Sequence, residues 1–155
     1  MAKGSLIQWD EKAGAPQNAR RELPPLVAAY FAQGRETLRN RPMSSELHVL
    51  RLFTKRLRYT LELFRPCYGP GLRERLAALR GIQQCLGEIN DCATVAALLA
   101  ESSSKSSPQW RRITHFLEQR RQILIEQFRH EWTDVFDAPG KERWWTSYLL
   151  RSRRR

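Results

Sequence analysis

Four side chains able to hold an anion, His48, Arg51, Lys55 and Arg58, recur at steps of three and four residues. On an α-helix that spacing lines them along one edge over about 15 Å. Tyr59 falls beside them and Arg56 on the flank, while Leu47, Leu50, Phe53, Leu57, Leu61 and Phe64 gather on the opposite side. One helix thus carries an apolar face for a core and, across from it, a face of cations, a histidine and a phenol. Like charges stacked at i and i+4 repel by a few tenths of a kcal/mol. Only Glu62 lies further along this face to relieve them. A linear polyanion touching several of these groups at once is the partner this pattern calls for. The alternative is a solvated basic face whose charges are paired by acids on other helices.

The whole chain shares this bias. Its 155 residues carry 27 Lys and Arg against 16 Asp and Glu, a net charge of +11, and most of the cations are arginine. Arginine presents a fixed fork of donors that matches phosphate oxygens and gives up its water more readily than lysine. Such an excess points to nucleic acid, an anionic membrane or polyphosphate, or else to a basic protein with no specific partner. The length suits one compact domain. No apolar run approaches the roughly 18 residues of a membrane span, and the start, MAKGSLIQWDEK, lacks the apolar core of a secretory signal. Cys67, Cys85 and Cys92 are odd in number and form no CxxC pair. They read as small buried hydrophobes of a protein in a reducing compartment, the cytoplasm, rather than as a disulfide or metal framework. The chain has no phosphate-binding GxxxxGK[ST] loop, no HExxH and no Gly-rich dinucleotide turn. The basic face offers few of the carboxylates that metal-assisted phosphate hydrolysis needs. No enzyme activity, cofactor or metal site is therefore expected.

The elements that position these residues are all helical. Residues 1–19 lack a clean period and read as a loose arm. Leu23, Leu26, Val27, Tyr30, Gly34 and Leu38 then recur at helical steps, with Pro24 and Pro25 in the first turn. Ser44 or Ser45 is placed to cap a second helix over residues 45–64. A turn around Gly69-Pro70-Gly71 leads to a third, from about 72 to 100, which Gly87 interrupts or thins, allowing either close helix approach or a bend. Glu101 to Pro108 is a Ser-rich flexible loop. A fourth helix runs from about 109 to 136, Asp137-Ala138-Pro139-Gly140 stops it, and a short segment near 143–151 closes the chain. No strand pattern appears. The expected fold is all-α, an antiparallel bundle of about four long helices plus a short C-terminal helix. Residues 20–136 form its domain and 137–155 a basic, aromatic C-terminal segment.

Two stretches resemble a known family. HxxRxxxKRxRYxLExF is met by His48, Arg51, Lys55, Arg56, Arg58, Tyr59, Leu61, Glu62 and Phe64. LxxLxxIQxxLGxxND follows as Leu76, Leu79, Ile82, Gln83, Leu86, Gly87, Asn90 and Asp91. Order and separation are similar to those of CHAD domains, helical phosphate-binding domains named for a histidine, over roughly residues 20–136. The resemblance implies an all-α fold, binding of inorganic polyphosphate along a basic channel, and targeting to polyphosphate granules. It puts His48, Arg51, Lys55, Arg56 and Arg58 on ligand-binding positions, with Tyr59 beside them. Typical members carry two related bundles in tandem, about twice this length, whereas one copy is visible here, resembling half of a CHAD domain. A twofold homodimer would rebuild the pair, with the aromatic tail from Trp144 to Leu150 and the apolar edge of the first helix as candidate interfaces. Nucleic acid bound to the same face is the second reading, although aromatic platforms or a short recognition helix are not evident.

Other residues are open to two readings. Arg73 and Arg80 lie off the apolar stripe of the third helix and face either the same ligand or solvent. Asn90 and Asp91 either cap a segment beginning at Ala93 or, for Asp91, orient a channel arginine. Arg121 falls within the apolar stripe of Leu117, Leu124 and Phe128, with Arg120 at its edge. Buried there it needs an acceptor, supplied by the anion or by Asp91 or Glu88. His115 and His130 read as surface histidines. The tail's tryptophans and arginines either meet an anionic surface or polyphosphate, or dock on the parent bundle or a partner subunit.

Overall fold

The computed structural model describes residues 7–101 and 107–152. Five α-helices pack antiparallel, α1 (Ala15–Arg39), α2 (Ser44–Leu63), α3 (Gly71–Ala100), α4 (Pro108–His130) and α5 (Lys141–Leu149). Among the described residues there is no strand. A 3₁₀ turn, Arg65–Cys67, joins α2 to α3, and a π-helical turn, Glu131–Phe136, extends α4. The last arginines of the tail and most of the serine loop lie outside the described residues, as do residues 1–6.

α1 begins earlier than its apolar period. Gly14 caps it, Pro16 occupies its first turn, and Pro24 and Pro25 sit inside it rather than at its start. An interior proline removes a backbone donor and costs about 3 kcal/mol. The helix continues because Ala19, Leu23, Val27, Tyr30 and Phe31 are fully buried along its inner face. Tertiary packing here overrides local preference. Residues 7–14 are fastened to the bundle by Asn18, whose fully buried amide donates to the carbonyls of Asp10 and Ala13 at 3.0 Å each.

The core is aromatic where α1 meets the end of α4. Tyr30 lies edge-on to Trp132 at 5.4 Å and to Phe136 at 5.8 Å. The π-helical turn, closed by Asp137 N–H donating to Trp132 O at 2.7 Å, turns both Trp132 and Phe136 inward, with ring centroids 4.8 Å apart. A Cβ on Gly34 would fall inside the Trp132 ring, so the missing side chain is what admits the indole. Gly140, at φ 84°, supplies the left-handed backbone that ends this turn and starts α5.

The C-terminal helix docks on its own bundle. Trp145 and Leu149 are buried against α1, while Leu150 remains exposed. Arg75, which the sequence reading did not single out, anchors this docking. Only 3% exposed, it donates to Trp144 O at 2.7 Å and Gly71 O at 3.0 Å. Its guanidinium lies 3.4 Å from the Trp144 ring centre and 3.9 Å from that of Tyr148. Burial pulls its pKa down to about 10. Cys67 is buried, and Cys85 and Cys92 are half-buried against the core.

Candidate functional site

α2 buries Leu47, Leu50, Thr54, Leu57 and Leu61, so the opposite edge bearing His48, Arg51, Lys55 and Arg58 is left for another task. Its N-cap is Met43, whose N–H donates to Glu46 at 2.7 Å. Ser44 and Ser45, expected as caps, lie in the first turn instead. The cationic edge runs along α3, and three side-chain ties set the antiparallel register. His48 Nδ1 lies 3.2 Å from Asn90 Oδ1. Arg58 Nε donates to Gln83 at 2.9 Å, and Arg80 reaches Glu62 at 3.3 Å. The partners on α3 descend the chain as those on α2 ascend it, so the two sequence motifs form the two walls of one groove.

The cations along this groove are unequal. Arg58 is 13% exposed, ion-paired to Glu62 at 2.6 Å and stacked 4.3 Å from the centre of the half-exposed Tyr59 ring. Glu62 therefore holds Arg58 and Arg80 together at one end. Arg51, Lys55 and Arg56 form no ion pair among the described residues, and the Nε of Arg51 is buried without a hydrogen-bond partner. A buried donor left unmatched costs about 1–3 kcal/mol. Acids from other helices do not neutralise this stretch, so pairing with protein carboxylates does not account for it. With Nδ1 donating to Asn90, the Nε2 of His48 is the nitrogen left to accept, or to donate when the ring is protonated. At the His48 end the groove opens into a cleft of about 330 Å³ whose walls include Ser44, Ser45, Asn90 and Thr94.

The motif of α2 and the first hundred residues carry more than a resemblance. The family model described as CHAD domain matches residues 2–100, nearly two thirds of the chain. The chain belongs to the CHAD domain family. The match begins ahead of α1 and ends with α3, so it takes in both walls of the groove and leaves α4 and α5 outside. No curated protein and no solved structure matches.

Within this CHAD domain the secondary candidates separate. Arg80 lines the groove at its Glu62 end, and Arg73, two turns earlier on the same face of α3, is exposed. Arg121 does not pair with Asp91 or Glu88. It is 16% exposed, donates to Ser44 Oγ at 2.8 Å and lies 3.7 Å from Glu118. Its acceptor is the first turn of α2, which α4 thereby fixes. Arg120 is exposed on α4, one residue round from that contact. α3 runs unbroken through Asn90 and Asp91, so neither caps a helix. Asn90 instead holds His48, and Asp91 is exposed on the outer side. Gly87 neither interrupts α3 nor brings a helix close, since a Cβ there would meet nothing within 4 Å. His115 is exposed, and exposed His130 pairs with Asp134. Gln83, quoted in the motif without a role, is the residue that orients Arg58.

Among the described residues no three His, Cys, Asp or Glu side chains are arranged to hold a metal ion. No described helix is long and apolar enough to cross a membrane.

Proposed function

We propose that the α2–α3 groove binds inorganic polyphosphate without catalysing its turnover, in the cytoplasm and at polyphosphate granules. Arg51, Lys55 and Arg56 supply the contacts to phosphate oxygens, His48 donates a hydrogen bond from Nε2 at the open end when its ring is protonated, and Arg58, held by Gln83 and Glu62, shapes the closed end. Arg73 and Arg80 extend the basic surface along α3. The observation that carries this reading is the pair Arg51 and Lys55. They are adjacent cations on a helix edge, without an ion pair among the described residues, between the two ties that fix the walls. Membership in the CHAD family supports phosphate as their partner. Glu62, the carboxylate on this edge of α2, is already engaged by two arginines, and among the described residues no three His, Cys, Asp or Glu side chains are arranged to hold a metal ion for hydrolysis.

Competition at physiological salt between long-chain polyphosphate, RNA and DNA tests the assignment. Polyphosphate displacing both nucleic acids supports it. Preferential retention of RNA or DNA gives the groove to nucleic acid.

Self-association is a second part of the proposal. α3 and α4 together expose apolar side chains, with Val95, Leu98, Ile113, Phe116 and Ile123 each more than 40% exposed. A twofold pairing through this hairpin would bring two CHAD units into one particle. Light scattering with and without polyphosphate checks it, and a monomer in both conditions would rule it out.

A further inference from the structure

α3 presents Arg80, Gln83, Gly87 and Asn90 at steps of three and four residues, which puts them on one face. Three of the four touch α2, through Glu62, Arg58 and His48. Gly87 lies between the Gln83 and Asn90 ties, as Arg51 and Lys55 lie between Arg58 and His48 on the facing edge. At this point, apart from its own helix backbone and immediate neighbours, no atom lies within 4 Å of where a Cβ would be.

The fold gives no reason for a glycine here. The backbone at 87 is helical, and a mid-helix glycine costs about 0.5–1 kcal/mol relative to alanine. Gly34 is needed because Trp132 occupies its side-chain space, and Gly140 because of its φ. Gly87 meets neither condition. By helix register it keeps the wall opposite Arg51 and Lys55 bare, and the Nε of Arg51 is buried with no hydrogen-bond partner among the described residues.

We propose that Gly87 is the clearance residue of the groove. Its missing side chain leaves the space through which a phosphate chain passes between Arg51 and Lys55 on one wall and α3 on the other, so side-chain size at 87 decides whether the chain seats. This rests on the polyphosphate reading above. It adds a determinant that carries no charge.

The experiment measures binding of long-chain polyphosphate to the full chain and to Gly87→Leu, Gly87→Ala and Gly81→Leu, with a thermal melt of each. Gly81 is the control. It too has nothing within 4 Å of a Cβ, but it lies about 120° away around α3, off the groove. Gly87→Leu is expected to weaken binding about tenfold or more, equivalent to about 1.4 kcal/mol. Gly87→Ala should fall between it and the parent, and Gly81→Leu should bind as the parent does. None should melt lower, since each replaces a helical glycine in open space. Equal binding by the parent and Gly87→Leu overturns the clearance role while leaving the groove assignment intact. Equal losses in Gly87→Leu and Gly81→Leu overturn it as well. Failure of the parent to bind polyphosphate overturns the groove assignment itself.

Discussion

Arg58 and Glu62, one turn apart on α2, are joined at 2.6 Å, and the same carboxylate oxygen accepts from Arg80 on α3 at 3.3 Å. One acid thereby occupies two of the groove's guanidiniums. Replacing it by Glu62→Gln keeps the shape, removes the negative charge and releases both arginines toward an anion. Affinity for polyphosphate should rise about threefold to tenfold at 0.1 M salt. The log–log salt dependence should steepen by about 0.7–1.4, the value for one or two added phosphate contacts. Titration of parent and variant across a salt series checks this. An unchanged slope would mean that Arg58 and Arg80 do not reach the ligand.

Gly34 makes a separate prediction about the fold. Because the Trp132 ring fills its side-chain position and is itself buried, Gly34→Ala must displace a packed indole. Overpacking of this kind costs about 1–3 kcal/mol, despite alanine's better helix propensity. Urea denaturation should show a lower midpoint. A midpoint at or above that of the parent would contradict the packing described for this contact.

Arg75 should hold α5 in place. Arg75→Ala leaves the carbonyls of Trp144 and Gly71 without their charged donor and opens the stack on Trp144 and Tyr148. Hydrogen bonds to a charged group contribute about 1.5–3 kcal/mol each, so α5 should detach before the bundle melts. Tryptophan emission should shift red at temperatures where the helical signal of the bundle persists. A single cooperative transition at the parental temperature would contradict an anchoring role.

Two phenols report on folding at alkaline pH. Burial raises the pKa of Tyr30, opposed by its bond with Thr54, and burial also raises that of Tyr68. A raised folded pKa means that the native state keeps a proton the unfolded chain releases. The stabilisation is complete below about 10, the ordinary tyrosine value, and is lost as the pH climbs through the folded pKa. Arg75 works in the opposite sense, because its lowered pKa sheds a buried charge over the same range. The clean readout is therefore phenolate absorbance. Of the four tyrosines, at least two should stay un-ionised above pH of about 10 until the chain unfolds. Ionisation of all four in a folded chain would contradict the burial of Tyr30 and Tyr68.

The helices and the cationic edge of α2 were legible because both are periodic. Apolar residues at three- and four-residue steps mark the buried face, and the opposite edge follows by geometry. The second wall was only half legible. Gln83, Gly87 and Asn90 stand in the motif, but which residue of α2 each meets depends on helix register, which no local pattern encodes. Arg121 and Arg75 show the same limit. Arg121 stands within an apolar stripe and so announces a buried cation, Arg75 was not singled out, and the acceptors of both, Ser44 and Trp144, are distant in sequence. The start of α1 was misplaced because two prolines resemble a first turn, while the burial that carries the helix through them is tertiary.

The most direct test of the groove is to remove its unpaired pair. Arg51→Ala with Lys55→Ala takes away two cations that form no ion pair among the described residues, so the fold should be retained by circular dichroism and thermal melting. Binding of long-chain polyphosphate to the parent should follow a log–log salt slope of about −2 to −4, as for three to five phosphate contacts. The double variant should lose at least about tenfold in affinity, with the slope reduced by about 1.4 for the two contacts removed. Parental affinity and slope in a folded double variant would contradict the assignment of the α2–α3 groove as the polyphosphate site.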